Sequence, residues 1–193
     1  MTGSPTAFRR PVVVFDPETT GCAGHDRVVS LGAVRLDRDL EPEATLHLVF
    51  APGVRCHPGA ARVHGMSDAY LRHQPGFADH AGEIAGFFAG ATGCAHNIAF
   101  DRRMLGGEFD RLGLPRPWRG EYCTCSAWRR RRPGGSASLK AVTAALGLSR
   151  EGELHGALED AWLAALVLRA LKGLPTVPMR LHGPTNEREA MAA

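Results

Sequence analysis

The stretch at 11–21, PVVVFDPETTG, decides the fold. Three valines and a phenylalanine in a row are typical of a strand that is buried on both faces of a sheet. This strand ends in two carboxylates, Asp16 and Glu18, with Pro17 between them. Residues i and i+2 of a strand share a face roughly 6–7 Å apart, a separation that suits metal binding. The same letters are also typical of an ordinary turn, so the pair alone leaves both interpretations open.

Pro17 is an unusual residue at this point of a strand because it has no backbone N–H. We predict that regular pairing to one neighbouring strand lapses at Pro17, while Asp16 and Glu18 still share one side of the sheet.

Beyond this stretch, the hydrophobic pattern alternates between the periods of strands and helices. Segments 27–37 and 44–52 predict two further strands of an antiparallel meander. Short apolar segments predict strands at 91–96 and 121–126, and helical periodicity predicts helices at about 61–74, 77–90, 100–112, 139–147 and 157–171. This order predicts an α/β domain with a five-stranded mixed sheet, three strands antiparallel and two parallel, flanked by helices.

Length and composition favour a single folded domain. The chain has 193 residues, of which 44% are hydrophobic and 22% charged, as is usual for globular proteins. No apolar segment approaches the roughly 20 residues of a membrane helix, and no signal peptide is recognisable, so we expect a cytoplasmic protein. We assign 1–10 to a flexible N-terminus, 11–173 to the domain and 174–193 to a loose C-terminal tail.

The cysteines and the arginines have simple interpretations. The five cysteines form no C-x-x-C pair, so we expect reduced, mostly buried thiols; Cys123 and Cys125 would share one face of a strand, but no second pair completes a zinc site. The net charge is +3, and four arginines at 129–132 form a local positive run. Such a run is usually a solvated loop, and it would bind phosphate only beside a nucleic-acid substrate.

Further acids occur at the ends of other predicted elements. Asp101 follows the fourth strand at the start of a helix, where an acid is ordinary because it complements the helix dipole. That strand would run parallel to the first, so Asp101 would reach the same sheet edge as the first pair. Asp160 lies on an apolar helix, where either a metal ion or a cation such as Arg169 would compensate its charge. His155 is five residues earlier and must precede the helix if both serve one site.

The combination indicates phosphoryl chemistry. Four carboxylates and a histidine fall at positions that the fold could bring to one edge of the sheet. Hard oxygen ligands of this number select Mg²⁺ or Mn²⁺, and two such ions stabilise in-line attack on a phosphodiester. A histidine of ordinary pKa, near 6.5, can accept a proton from the attacking water.

Three motifs carry a family resemblance. FDPETTG at 15–21, HNIAFD at 96–101 and HGALEDA at 155–161 resemble the DnaQ-like 3′-to-5′ exonucleases of the DEDDh type, over about 12–171. Within that family, VHGMSDAYL at 63–71 and SLKAVTAALGL at 138–148 are most similar to the epsilon-type proofreading subunits of bacterial DNA polymerase III.

The resemblance implies an RNase H-like fold and a set of site residues. Asp16, Glu18, Asp101 and Asp160 would bind two divalent cations, Mg²⁺ or Mn²⁺, and His155 would be the general base. The matching substrate-binding positions are Thr19, Thr20, His64, Met66, Asn97 and Phe100. For Met66 and Phe100, plain core packing is an equally good interpretation. The family has a basic loop near the arginine run, which would favour contacts there with a single strand.

Three functions are compatible with these motifs. The first is an exonuclease acting on single-stranded 3′ ends, with DNA as the expected substrate and a DNA polymerase subunit as a candidate partner. The family's clamp-binding and polymerase-binding extensions are not recognisable in the C-terminal tail, so a stand-alone enzyme is equally compatible. The alternatives are a non-catalytic nucleic-acid or polymerase-binding module and an oligoribonuclease-like RNA exonuclease.

Overall fold

The computed structural model describes residues 8–149 and 156–176, which form five strands and seven helices. In chain order these are β1 Val12–Thr19, β2 Val28–Leu36, β3 Pro42–Val49, α1 Pro58–His64, α2 Asp68–Leu71, α3 Phe77–Phe88, β4 Thr92–Ala95, α4 Ile98–Arg111, β5 Glu121–Cys123, α5 Thr124–Arg131, α6 Leu139–Ala145 and α7 Ala157–Leu171.

The strands form one mixed sheet in the order β3-β2-β1-β4-β5. Strand β2 runs antiparallel to both of its neighbours, β1 and β3. Strand β4 runs parallel to β1, and β5 runs parallel to β4. The predicted α/β architecture, with an antiparallel side and a parallel side, is therefore confirmed, and it is the sheet of an RNase H-like fold.

Pro17 lies where β1 has already lost one partner. The Thr92 N–H donates to the Pro11 carbonyl (2.8 Å), so odd-numbered residues of β1 direct their backbone groups toward β4. Pairing with β4 stops at Val14, whereas the register with β2 continues past Pro17. The missing N–H of Pro17 therefore removes no bond from the sheet, and the predicted lapse on one side is confirmed.

Two hydrophobic layers enclose the sheet. On one face, Val13 and Phe15 of β1 pack with residues of α3 and α4. On the other face, Val12 and Val14 pack with residues of α7. Because side chains alternate along a strand, the two even-numbered acids at the end of β1 follow Val12 and Val14 onto the α7 face.

The strand predicted at 121–126 is shorter than expected. It ends at Cys123, whose sulfur accepts the N–H of Ser126 (3.4 Å). The Cys125 N–H donates to the His96 carbonyl (3.1 Å), and these two bonds start α5 instead of extending the strand. The prediction that Cys123 and Cys125 share one face of a strand is therefore wrong. All five cysteines lie within the described residues and none forms a disulfide there, but only Cys94 and Cys125 are buried, so the expectation that most of them are buried is wrong.

The arginine run at 129–132 is not the solvated loop that its charge predicts. It forms the exposed end of α5 and the residue that caps it. The guanidinium carbon of Arg132 lies 5.0 Å from the ring centroid of Trp128, which is buried. The run is therefore attached to the core through an aromatic side chain.

The helix predicted at 61–74 is divided in two. Gly65 has a φ of 75°, a conformation that favours glycine, and it ends α1. Ser67 then caps α2, since its hydroxyl accepts the N–H of Tyr70 (3.1 Å). Strand β3 also lies slightly earlier in the chain than predicted.

The two ends of the described chain pack against each other and against Tyr122 of β5. The ring centroid of Phe8 lies 5.7 Å from that of Tyr122, and the Lys172 ammonium lies 4.6 Å from the Phe8 ring. The domain boundaries at residues 10 and 173 stay predictions, and residues 1–7 and 177–193 lie outside the described chain. Within the described residues, no helix is both long and apolar enough to cross a membrane.

Candidate active site

Three carboxylates meet near the C-terminal end of β1. The ligand oxygens of Asp16, Glu18 and Asp160 all lie within 4.8 Å of one another. The first two are half-buried and come from β1, while Asp160 is buried in the first turn of α7. Their shared side of the strand is confirmed. Carboxylate oxygens at this spacing can hold a hard divalent cation such as Mg²⁺ or Mn²⁺.

Gly32 sets the distance between β2 and the helix that carries Asp160. It lies opposite Asp16 in the β1–β2 pairing. A Cβ atom at Gly32 would lie 2.1 Å from the carbonyl carbon of Ala157 and 2.2 Å from the Leu158 nitrogen. The backbone of α7 therefore rests directly on β2, which brings Asp160 close to the acids of β1.

Asp101 approaches from the opposite layer. It lies in the first turn of α4, whose N-cap is Asn97, and only 4% of it is exposed. Burial raises the pKa of the Asp101 carboxyl to about 7, although backbone hydrogen bonds from Asp101 itself and from Asn97 oppose the rise. A nearby cation would favour the ionised form of this carboxyl, as expected for a metal ligand.

The four acids share one cleft with a volume of about 260 Å³. The cleft is lined by Asp16, Pro17, Glu18, His96, Asn97, Phe100, Asp101, Leu139 and Asp160. The predicted ligand set is thus brought together. Its donors are all carboxylate oxygens, and two of the acids, Asp101 and Asp160, are buried. Burial makes the ionisation of Asp101 costly without a nearby cation, so these residues fit divalent cations.

The sequence of this chain matches a known protein family over most of its length. Residues 13–168 match the model of the RNase T exonuclease family. The chain belongs to this exonuclease family. The curated relatives include the epsilon subunits of DNA polymerase III from Escherichia coli K12 and Rickettsia prowazekii, each 31% identical to this exonuclease. The match to the first covers 97% of this chain and 82% of the relative; the match to the second covers 83% and 73%.

Solved structures share the fold of the exonuclease. E. coli exonuclease I in complex with a dT13 oligonucleotide superimposes with a TM-score of 0.75 at 20% identity, over 85% of this chain. The match covers only 41% of that chain. Exonuclease X in complex with 5′ overhanging duplex DNA superimposes with a TM-score of 0.64 at 23% identity, covering 86% of this chain and 95% of the other.

His155, the predicted general base, lies outside the described residues. It precedes Gly156, the N-cap residue of α7, and Asp160 follows one turn later. Its role in the exonuclease stays a prediction from sequence. The alternative partner of Asp160, Arg169, instead binds the Leu40 carbonyl and the Glu41 carboxylate.

Thr19 and Thr20 shape the turn after β1 and do not line the cleft. The Thr19 hydroxyl donates to the Gly21 carbonyl (2.7 Å), and the Thr20 hydroxyl donates to the Asp26 carboxylate (2.7 Å). The Arg27 N–H closes the turn by donating to the Thr20 hydroxyl (3.0 Å). A direct substrate contact by either threonine stays a prediction.

His64 and Met66 also lie away from the lining of the cleft. His64 is buried, and its Nδ1 accepts the Met66 N–H (3.1 Å), so its Nε2 carries the proton. Burial lowers the pKa of His64, an effect that the Thr19 backbone partly opposes. The ring is therefore neutral near pH 7, and it remains a predicted substrate contact.

Asn97 and Phe100 line the cleft as predicted, and Phe100 also packs partly against the core. His96 lines it too and was not predicted, although it begins the second motif. Its Nε2–H donates to the Ala137 carbonyl (2.8 Å), and the Thr124 hydroxyl donates to its Nδ1 (2.9 Å). Burial lowers the pKa of His96, so the neutral ring joins β4 to α5 and to the segment before α6.

A buried ion-pair network around Glu108 connects two elements near the site, and no sequence motif predicted it. Glu108 lies on α4 and is 1% exposed. Its carboxylate accepts hydrogen bonds from Arg27 (2.8 Å) and from the Val28 N–H (3.0 Å), and it lies 3.3 Å from Arg111. Because Arg27 ends the turn after β1, this network joins that turn to the helix that carries Asp101.

Proposed function

We propose that this exonuclease acts in the 3′-to-5′ direction on single-stranded DNA and releases 5′-mononucleotides. The observation that carries the proposal is the convergence of Asp16, Glu18 and Asp160 within 4.8 Å, with Asp101 lining the same cleft. Four acids lining one cleft would repel a phosphodiester unless cations were bound between them.

The proposed cofactors are two divalent cations, Mg²⁺ or Mn²⁺, held by these four carboxylates. When bound, the cations neutralise charge on the phosphodiester and favour ionisation of the attacking water. Asn97 and Phe100 line the same cleft and would position the terminal nucleotide.

His155 would accept the proton of the attacking water. The water oxygen then bonds to phosphorus as the bond from phosphorus to the 3′ oxygen of the preceding nucleotide breaks. The leaving 3′ oxygen takes up a proton from solvent, so the products are a 5′-mononucleotide and a strand, one residue shorter, that ends in a 3′-hydroxyl.

The curated relatives favour a DNA substrate and a partnership with a DNA polymerase, because they are DNA polymerase III subunits that this chain matches over most of its length. We therefore propose a proofreading role. Free thiols at all five cysteines agree with a reducing compartment such as the cytoplasm.

The direct test is degradation of a 5′-labelled single strand with Mg²⁺ or Mn²⁺. We expect a ladder of shortened labelled products that EDTA abolishes. Asp101→Asn is expected to lower the rate at least about 100-fold. Asp110→Asn changes an exposed acid of the same helix and should leave the rate unchanged.

Three outcomes would contradict parts of the proposal. Label released at once as a mononucleotide would indicate the opposite direction. Strand binding without any metal-dependent shortening would indicate a non-catalytic binding module. Faster cleavage of a matched RNA strand would indicate an RNA exonuclease, since the 2′-hydroxyl is what distinguishes the substrates.

A further inference from the structure

Arg103 lies beside the cleft and stacks on one of its aromatic residues. Its guanidinium carbon is 5.4 Å from the ring centroid of Phe100, close enough for a cation–π contact. Arg103 is exposed and forms no ion pair with any described residue. The contact therefore holds an otherwise mobile cation over an aromatic ring that lines the cleft.

The neighbouring arginine behaves differently. Arg102 is also exposed on α4, but its guanidinium pairs with the Glu121 carboxylate at 3.1 Å. Of these two consecutive arginines, one is neutralised by β5 and the other is directed to Phe100. The guanidinium that no described acid pairs with, that of Arg103, therefore lies on the side of α4 that faces the cleft.

The position of Phe100 shows where the Arg103 guanidinium lies relative to the acids of the cleft. It is half-buried, lines the cleft and immediately precedes Asp101 in the first turn of α4. Residues three apart on a helix are neighbours on its surface, so Arg103 extends the line from Asp101 through Phe100 away from the acids. A strand whose 3′ end reached the acids would pass this pair.

We propose that Arg103 is a substrate-positioning residue that binds a backbone phosphate of the strand next to its 3′ end. The inference rests on the proposed function. The guanidinium fork suits phosphate oxygens, and the Phe100 ring keeps it extended toward the strand. Because the four acids repel a polyanion, a cation just beyond them lowers the cost of bringing the strand in.

The test is binding of a labelled oligothymidylate with phosphorothioate 3′ linkages, measured in Ca²⁺ at several salt concentrations. We expect Arg103→Ala to raise Kd roughly fivefold. It should also reduce the slope of log Kd against log salt by about 0.7, the value for one lost phosphate contact on a single strand. Arg103→Lys keeps the charge and should restore most of the slope.

Arg102→Ala is the matched control, because it removes the same charge one residue away. We expect it to leave both Kd and the slope unchanged. In turnover experiments with Mg²⁺, Arg103→Ala should raise KM and leave kcat within about twofold.

Two results would overturn the inference alone: an unchanged slope for Arg103→Ala, or an equal loss of slope for Arg102→Ala. If the wild-type protein neither bound nor shortened the strand, the proposed function would fail and this inference with it.

Discussion

Replacing Gly32 with alanine is expected to disable the metal site while leaving the protein folded. The new Cβ would lie 2.1 Å from the Ala157 carbonyl carbon, whereas ordinary contacts begin at 3.4 Å. The obstacle is backbone, so the start of α7 must move by about 1.3 Å. Asp160 lies in that turn, and metal–ligand distances tolerate only about 0.2 Å of change.

The effect of Gly32→Ala on stability should be moderate. Overpacking a well-filled interior costs about 1–3 kcal/mol, and the lower backbone entropy of alanine offsets part of that. For a chain of this size, each kcal/mol lowers the midpoint of thermal unfolding by about 2–4 °C. Metal affinity should fall more steeply, by at least about tenfold, because one of three clustered ligands is displaced.

Mn²⁺ titration calorimetry and thermal unfolding in EDTA would measure the two effects separately. Gly86→Ala is the matched control, because a Cβ there meets no atom within 4 Å, and it should be neutral or slightly stabilising. A Gly32→Ala protein with wild-type Mn²⁺ affinity would refute the argument that this glycine sets the position of Asp160.

Three further predictions concern buried charges and thiols. Because the pKa of Asp101 rises from 3.8 to about 7 on folding, the metal-free protein should lose stability as pH rises through that window. In EDTA, Asp101→Asn should therefore match wild type near pH 4 and exceed it near pH 8, by a few kcal/mol in urea titrations; equal stability at both pH values would contradict this. Glu108→Ala should cost about 3 kcal/mol in urea, because it leaves Arg27 and the Val28 N–H without their acceptor, and Glu108→Gln should cost less. Exposed Cys22 should react with a thiol reagent well before Cys56, whose pKa burial raises to about 11; equal rates would contradict this.

The sheet and the meeting of the acids could be predicted because both follow from local signals and one topological rule. The buried strand at 12–15, the meander and the apolar helix at 157–171 each have a clear period. Parallel strands end at the same edge, so Asp101 had to approach Asp16.

The rest depended on contacts that no local pattern encodes. The segment EYCTCS at 121–126 alternates as a strand should, yet the His96 carbonyl and the Cys123 sulfur capture N–H groups that start a helix. The Thr20 hydroxyl donates a hydrogen bond to the Asp26 carboxylate. Thr19 and Thr20 carry the same donor group, so only the folded turn determines which of them forms this bond. The contact of Gly32 with Ala157 joins residues far apart in sequence, so a glycine in a strand gave no sign of it.

The candidate metal site draws two of its acids from helices on opposite faces of the sheet. Asp160 belongs to α7, which packs on one face, whereas Asp101 belongs to α4, which packs on the other. Ions shared by these acids would cross-link the two hydrophobic halves at the open end of the sheet. Metal binding should then make α4 and α7 unfold as a single cooperative unit, with slower amide exchange in both helices at once.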